Sequence, residues 1–390
     1  MGHTSELTWQ QLAVLTSGRL VLNTAFRIVY PLLPTLASGF KVDLQMVSLL
    51  VTIQVAATLL SPLGGWISDR YGERTTLLGG LGFFTLGAVG CAFAQAFLPF
   101  LLCYGLIGLG SALFLPAVQT YASNRSEYGQ RARVLGILEL GWALSALLGV
   151  TGLTLLAQVT GGWSSAFWAL AAIGVVMIFL TAPLPTTSRL TASKQPQSGD
   201  SMIAVLRTTG VGAAMGFAFM QLMAVELIFV SYGAWLTESF GASSEQLGFF
   251  FGLLGLVELV GALGTTFLTD RLGKRRAVLI GFAAVGLLLL LLPLSEGSWW
   301  LFIPLFLLFD LCFEFSIVSI FPLVSGLSTN ARGAVLSLTM AAIGVGRIAG
   351  SLAGPWILGQ FGFWANGLLA GLIALLGVAI GAVLVREGSH

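Results

Sequence analysis

The chain has 390 residues, of which 56% are hydrophobic and only 9% charged, against about 25% charged in an ordinary soluble domain. That composition excludes a water-soluble globular fold. The formal charge of +2 sits unevenly in alternate loops, so it reports membrane topology and not a nucleic-acid surface.

Apolar runs of about 20 residues, enough to cross roughly 30 Å of hydrocarbon, recur along nearly the whole length. Twelve spans are predicted, at 12–36, 44–67, 77–96, 98–122, 132–157, 163–183, 208–236, 245–268, 277–294, 299–325, 332–357 and 363–385. Lipid offers no partner to backbone N–H and C=O groups, and the runs lack the alternation of a barrel strand, so the expected fold class is all-α integral membrane. Of 18 Lys and Arg, 14 fall in loops or a terminus on one side. The positive-inside rule makes that side cytoplasmic and puts both termini there, in a cell (inner) membrane. The polar start lacks a charged n-region and a cleavage site, so the first span is expected to stay.

The first span carries Arg19, Asn23 and Arg27 at i, i+4 and i+8, one polar stripe that should face a cavity and not lipid. Gln54 in the second span and Gln119 in the fourth are weaker cavity residues. The loop after the second span reads GGWISDRYGERTTLLGG, in which Asp69 can cap a helix, Gly72 permits a tight turn, and Arg70 and Arg74 can bind carboxylates or helix C-terminal carbonyls. Glu139 in the fifth span lies at the depth of Arg19, so the two are expected to pair. Gly141, Ser145 and Gly149 in that span, and their repeats Ala342, Gly346 and Gly350 with Gly354 in the eleventh, form ladders of small residues, read as seams on which two halves slide, a reading compatible with ordinary close packing.

Beyond a polar segment near 184–207, the pattern repeats at an offset of 201. Asp69, Arg70, Gly72 and Arg74 recur as Asp270, Arg271, Gly273 and Arg275, and Arg131, Gly149, Gly161 and Trp163 as Arg332, Gly350, Gly362 and Trp364. The chain is therefore read as a six-helix bundle over 1–183, a cytoplasmic linker over 184–207 and a second bundle over 208–390. Two parallel repeats with a site between them are an architecture that can rock between two openings. The second half buries Glu226, Glu258, Asp310, Glu314 and Arg347 in its spans. Asp310 and Glu314, four apart on the tenth span, cannot both ionise cheaply in a low-dielectric site, so they are candidates for taking up and releasing a proton. Glu258, Glu139 and Arg347 complete that candidate set, with Arg347 expected to neutralise one of the tenth-span pair. Phe217, Phe229, Tyr232, Trp235, Phe313 and Phe315 are read as an aromatic wall or as bilayer-facing surface.

The paired loops and twelve spans resemble the major facilitator superfamily, whose signature loop between the second and third helices echoes between the eighth and ninth. The resemblance implies two pseudo-symmetric six-helix bundles, alternating access, and a conformational role for the eight loop residues. It also implies that helices 1, 4, 7 and 10 line the path, which would let Arg27 and Glu226 form an outer gate. Departures are Glu73, where a basic residue is usual, Thr266 in place of a glycine, Tyr104 where drug–proton antiporters carry arginine, and a fifth span without their Gly-Pro signature. Three buried positive and five negative charges favour a cationic or zwitterionic substrate. The expected function is proton-coupled export of a small organic amphiphile. A metabolite importer, a lipid flippase and a non-transporting receptor or assembly factor are the alternatives. The expected partners are the substrate, protons and the bilayer, with a monomeric chain. No metal, cofactor or enzymatic nucleophile is expected.

Overall fold

The computed structural model describes residues 7–126, 131–185, 210–325, 327 and 332–384, and among them every regular element is a helix. The linker read at 184–207 lies almost wholly outside the described residues. Ten helices are each long and apolar enough to cross a bilayer, and the bent pair Trp9–Arg27 and Val29–Phe40 supplies an eleventh span. The second span is built from shorter helices ending at Thr58 and Tyr71. With it the fold has twelve spans.

The first span bends by 44° where the chain passes Ile28. Pro31 explains the place: it has no N–H to offer the carbonyl of Arg27, four residues back, and its ring crowds that carbonyl. The seventh span breaks at the equivalent point of the repeat, between Val211–Phe229 and Tyr232–Phe240. There Asn366 of the twelfth span donates to the Leu227 carbonyl at 3.2 Å and to Ser231 Oγ at 2.8 Å. A side-chain amide thus serves backbone left over at a break, which lipid cannot do.

The offset of 201 governs backbone shape as well as residue identity. Gly72 and Gly273 take φ of 91° and 83° between consecutive spans, a region closed to other residues without strain. Gly161 and Gly362 repeat the same device at φ of 73° and 78°.

Contacts group the chain into two compact units, Met1–Ser193 with Ser243–Gly255, and Lys194–Ala242 with Leu256–His390. The start of the eighth span, assigned by sequence to the second bundle, therefore groups with the first unit. Its glycines are the reason. A Cβ on Gly248 or Gly252 would strike the side chain of Thr154 or Thr151, and one on Gly255 would strike the Ala143 carbonyl. The fifth span meets them with a π-helical turn, Ser145–Val150, and Thr151 Oγ1 lies within bonding distance of the carbonyls of Ala146 and Gly248.

The small-residue ladders sit elsewhere than on a sliding seam. Gly141 and Gly149 pack on Leu20 and Thr24 of the first span, and Gly346, Gly350 and Gly354 pack on Phe219, Met223 and Leu227 of the seventh. Each ladder joins two spans of one unit, so the close-packing reading holds and the seam reading is corrected. A Cβ on Gly149 would lie 1.9 Å from Thr24 Oγ1 and 2.8 Å from its Cβ, whereas one on Gly136 meets nothing within 4 Å. Gly149→Ala should therefore cost about 1–3 kcal/mol by overpacking, while Gly136→Ala should stay within about 0.5 kcal/mol of the parent. Thermal unfolding midpoints of the two purified variants in detergent will separate them.

Candidate functional site

In unit 1 the polar stripe of the first span is buried, but its members differ in what holds them. Arg19 reaches Glu139 of the fifth span through Nη2, the pairing expected from their shared depth. The Glu139 side chain is 56% exposed although it lies inside an apolar span. A carboxylate with that much free surface at this depth needs water and not lipid around it. Arg27 donates to the Trp142 carbonyl at 3.3 Å. Its guanidinium lies 4.5 Å from the Trp142 ring centroid and 4.9 Å from that of Phe251, and Tyr30 stacks on Phe251. Faces of aromatic rings attract cations, so this cage holds Arg27 where the first span bends. Asn23, one turn from each arginine, is 2% exposed.

Gln54 and Tyr104 form a second buried polar knot. Tyr104 Oη lies 2.8 Å from the Ala25 carbonyl and 2.6 Å from Gln54 Oε1, tying the first, second and fourth spans. A hydroxyl has one proton and cannot donate to both. Turning the Gln54 amide so that its NH2 donates to Tyr104, while Tyr104 donates to Ala25, resolves the conflict. The residue that stands in place of an antiporter's arginine is thus a structural tie. Gln119, expected in the cavity, is exposed near the end of the fourth span.

At the loop between the second and third spans of unit 1 the acid that breaks the loop pattern proves informative. Glu73 and Arg125 form a buried ion pair at 2.7 Å, with side chains 7% and 5% exposed. Asn124 donates to the other Glu73 oxygen at 2.6 Å, and Arg125 also donates to the Pro185 carbonyl at 3.0 Å while stacking on Tyr121. Arg125 was missed by sequence reasoning, and a lone acid in a basic loop was the signal for it. Among the expected latch residues, Arg70 is exposed beside the Tyr71 ring, Arg74 is partly buried, and Arg275 donates to the Ala382 carbonyl. Arg271 is exposed, and Gly72 and Gly273 make the turns described above. The side chains of Asp69 and Asp270 lie outside the described residues.

In unit 2, Arg347 of the eleventh span, expected beside Asp310 or Glu314, holds Glu226 of the seventh through Nε at 2.8 Å. Arg27 and Glu226, the expected gate pair, belong to different units. Asp310 is 0% exposed. Glu314 packs against Gly261, where an added Cβ would come within 3.0 Å of the Glu314 Cβ. Glu258 stands one turn before Gly261 on the same face and is itself buried. The eighth span therefore meets the tenth at Gly261 and Glu314, one turn from Glu258. Tyr232, expected in the aromatic wall, is fully buried against Phe229 and Phe306. Phe217 and Trp235 are likewise interior, the first edge-on to Phe282 and the second stacked on Phe363, so the wall is corrected to the partly exposed Phe229, Phe313 and Phe315. Interior aromatics in this unit fill space between spans.

Two repeated six-span halves with ionisable side chains buried at membrane depth define a membrane transporter of the two-bundle kind. The family model of the Major Facilitator Superfamily matches residues 15–219 and 214–390, and the chain belongs to that superfamily. It is similar to the uncharacterized MFS-type transporter YwfA of Bacillus subtilis (27% identity over 390 residues, 96% of this chain and 91% of that one). It also resembles the synaptic vesicular amine transporter of Bos taurus (25% identity, 82% of this chain and 62% of that one). Its fold matches the crystal structure of a D-xylose-proton symporter with a TM-score of 0.82 at 17% identity, covering 97% of this chain and 98% of that one.

Proposed function

We propose that the protein is a proton-coupled secondary transporter that works by alternating access and exports a small cationic or zwitterionic organic amphiphile. The observation that carries this reading is Asp310, an ionisable group wholly withdrawn from solvent in the middle of a span, with Glu258 and Glu314 brought to the same helix pair. Such a group is costly in a merely structural span and useful in one that must gain and lose a proton. Its tenth-span neighbour Glu314 lies four residues on, along the same face of the helix. The vesicular amine transporter named among the relatives supports a substrate bearing an amine. The basic cytoplasmic loops support a cell (inner) membrane setting with both termini inside, and the chain is taken to work as a monomer.

Proteoliposomes holding the purified protein will test this with a panel of amines and zwitterions under an imposed pH gradient. Flux should follow the gradient and reverse with its sign. Flux indifferent to the gradient would remove proton coupling, and movement only of sugars or organic anions would remove the substrate class.

A further inference from the structure

Arg19 binds Glu139 through one nitrogen only. Its Nε and Nη1 are both buried and have no acceptor among the described residues, and the same holds for Nδ2 of Asn23. Asn23 follows Arg19 by four residues, so these three donor nitrogens lie one above the other on a single face of the first span. Asn23 is 2% exposed and Arg19 is 9% exposed. Buried donors left without acceptors cost free energy, and a stripe of three marks a place where another molecule supplies the acceptors.

The chemistry of that molecule follows from the donors. Each bidentate edge of a guanidinium pairs Nη2 with Nε or with Nη1. Glu139 takes one N–H of Nη2, so the second N–H of Nη2 beside an unbonded Nε or Nη1 can still grip the two oxygens of a carboxylate, and an amide N–H one turn along can reach one of the same oxygens. Glu139 does not saturate the site. It touches only Nη2, and with its side chain more than half exposed its own charge is largely screened by solvent. The arginine therefore retains attraction for a second anion on its free edge.

We propose that the free edge of Arg19 together with the amide of Asn23 is a docking site for a carboxylate group of the transported molecule. The substrate is then zwitterionic and not simply cationic, with its carboxylate on the first span. The inference rests on the transport reading above and narrows it. Arg27 is not part of this site, because its guanidinium is held by the Trp142 carbonyl and two aromatic rings.

Three probes sharing an indole ring separate the possibilities: tryptophan carries both charges, tryptamine only the ammonium, and indole-3-acetate only the carboxylate. Thermal unfolding of the full chain in detergent, at fixed pH and ionic strength, reads binding without requiring transport. The wild-type midpoint should rise with tryptophan and with indole-3-acetate. Arg19→Lys keeps the charge but loses the fork, and it should weaken both responses by about tenfold or more in apparent affinity, leaving tryptamine unaffected. Asn23→Ala removes a group that makes no hydrogen bond, so it should fold as the parent does and still lose affinity for both carboxylates. Asn23→Asp should abolish them by repulsion. Wild-type protein that ignores both carboxylates, or variants that respond to them as the parent does, would overturn the proposal. If tryptamine still binds and follows a pH gradient in liposomes, the transport reading survives that failure; if no probe or amine is moved by a gradient, it is the transport reading that falls.

Discussion

Asp310→Asn is expected to abolish transport driven by a pH gradient, lowering it by more than about tenfold, while exchange of substrate for substrate continues within about twofold. The amide copies the shape and the neutral state of a protonated acid but cannot release a proton. A carrier locked in that state can still return loaded, so exchange survives, whereas net proton-driven movement needs the site to empty. Asp310→Glu should keep part of the driven flux because the proton site remains. Glu314→Gln should share the phenotype if the two carboxylates work as a pair. Paired measurements of gradient-driven uptake and counterflow in the same liposomes will decide. An Asp310→Asn protein with unchanged pH dependence would show that the buried acids of the tenth span have only a structural part.

Arg125→Ala should be strongly destabilising, by about 3–5 kcal/mol, because it takes the Arg125 cation away from the buried carboxylate of Glu73. The pair itself need not be worth that much. Taking both charges out of water is costly, and their attraction together with the bonds from Asn124 and to Pro185 mainly offsets that cost. Removing one side therefore exposes the whole desolvation penalty of the other. Glu73→Gln should cost less, since its amide oxygen can still accept from Arg125 while its NH2 donates to the Asn124 amide turned over, and Glu73→Arg combined with Arg125→Glu should recover part of the loss. Unfolding midpoints for the single and double variants will measure the coupling. An Arg125→Ala protein within about 0.5 kcal/mol of the parent would show that the bridge does not persist in solution.

Glu73 also shows how far a local anomaly in sequence can be read. An acid in a run of loop bases was visible, but its partner lies 52 positions away at the end of another span. Only the packing of the third span on the fourth brings them together. The same holds for the eighth span, whose approach to Glu314 depends on the bare face of Gly261. The pairing of Arg19 with Glu139 was legible because both can be placed by depth. Depth fixes height in the membrane but not the direction around a helix axis, and this is why Arg347 was assigned to the tenth span and is found on Glu226.

The sequence by itself determined the class of fold, the number of spans and the repeat at 201 residues. Those follow from solvation of backbone and charge in a bilayer and from residue identity at a fixed offset, none of which requires knowing which helices touch. Tertiary structure alone decided the neighbours: the glycine ladders serve the first and seventh spans, Tyr232 is interior, Tyr104 ties three spans, and Asn23 is left with a donor to offer. In an apolar medium nearly every face of a span is hydrophobic, so periodicity does not mark the buried side. Close contact is set by shape, and shape exists only once the helices have met.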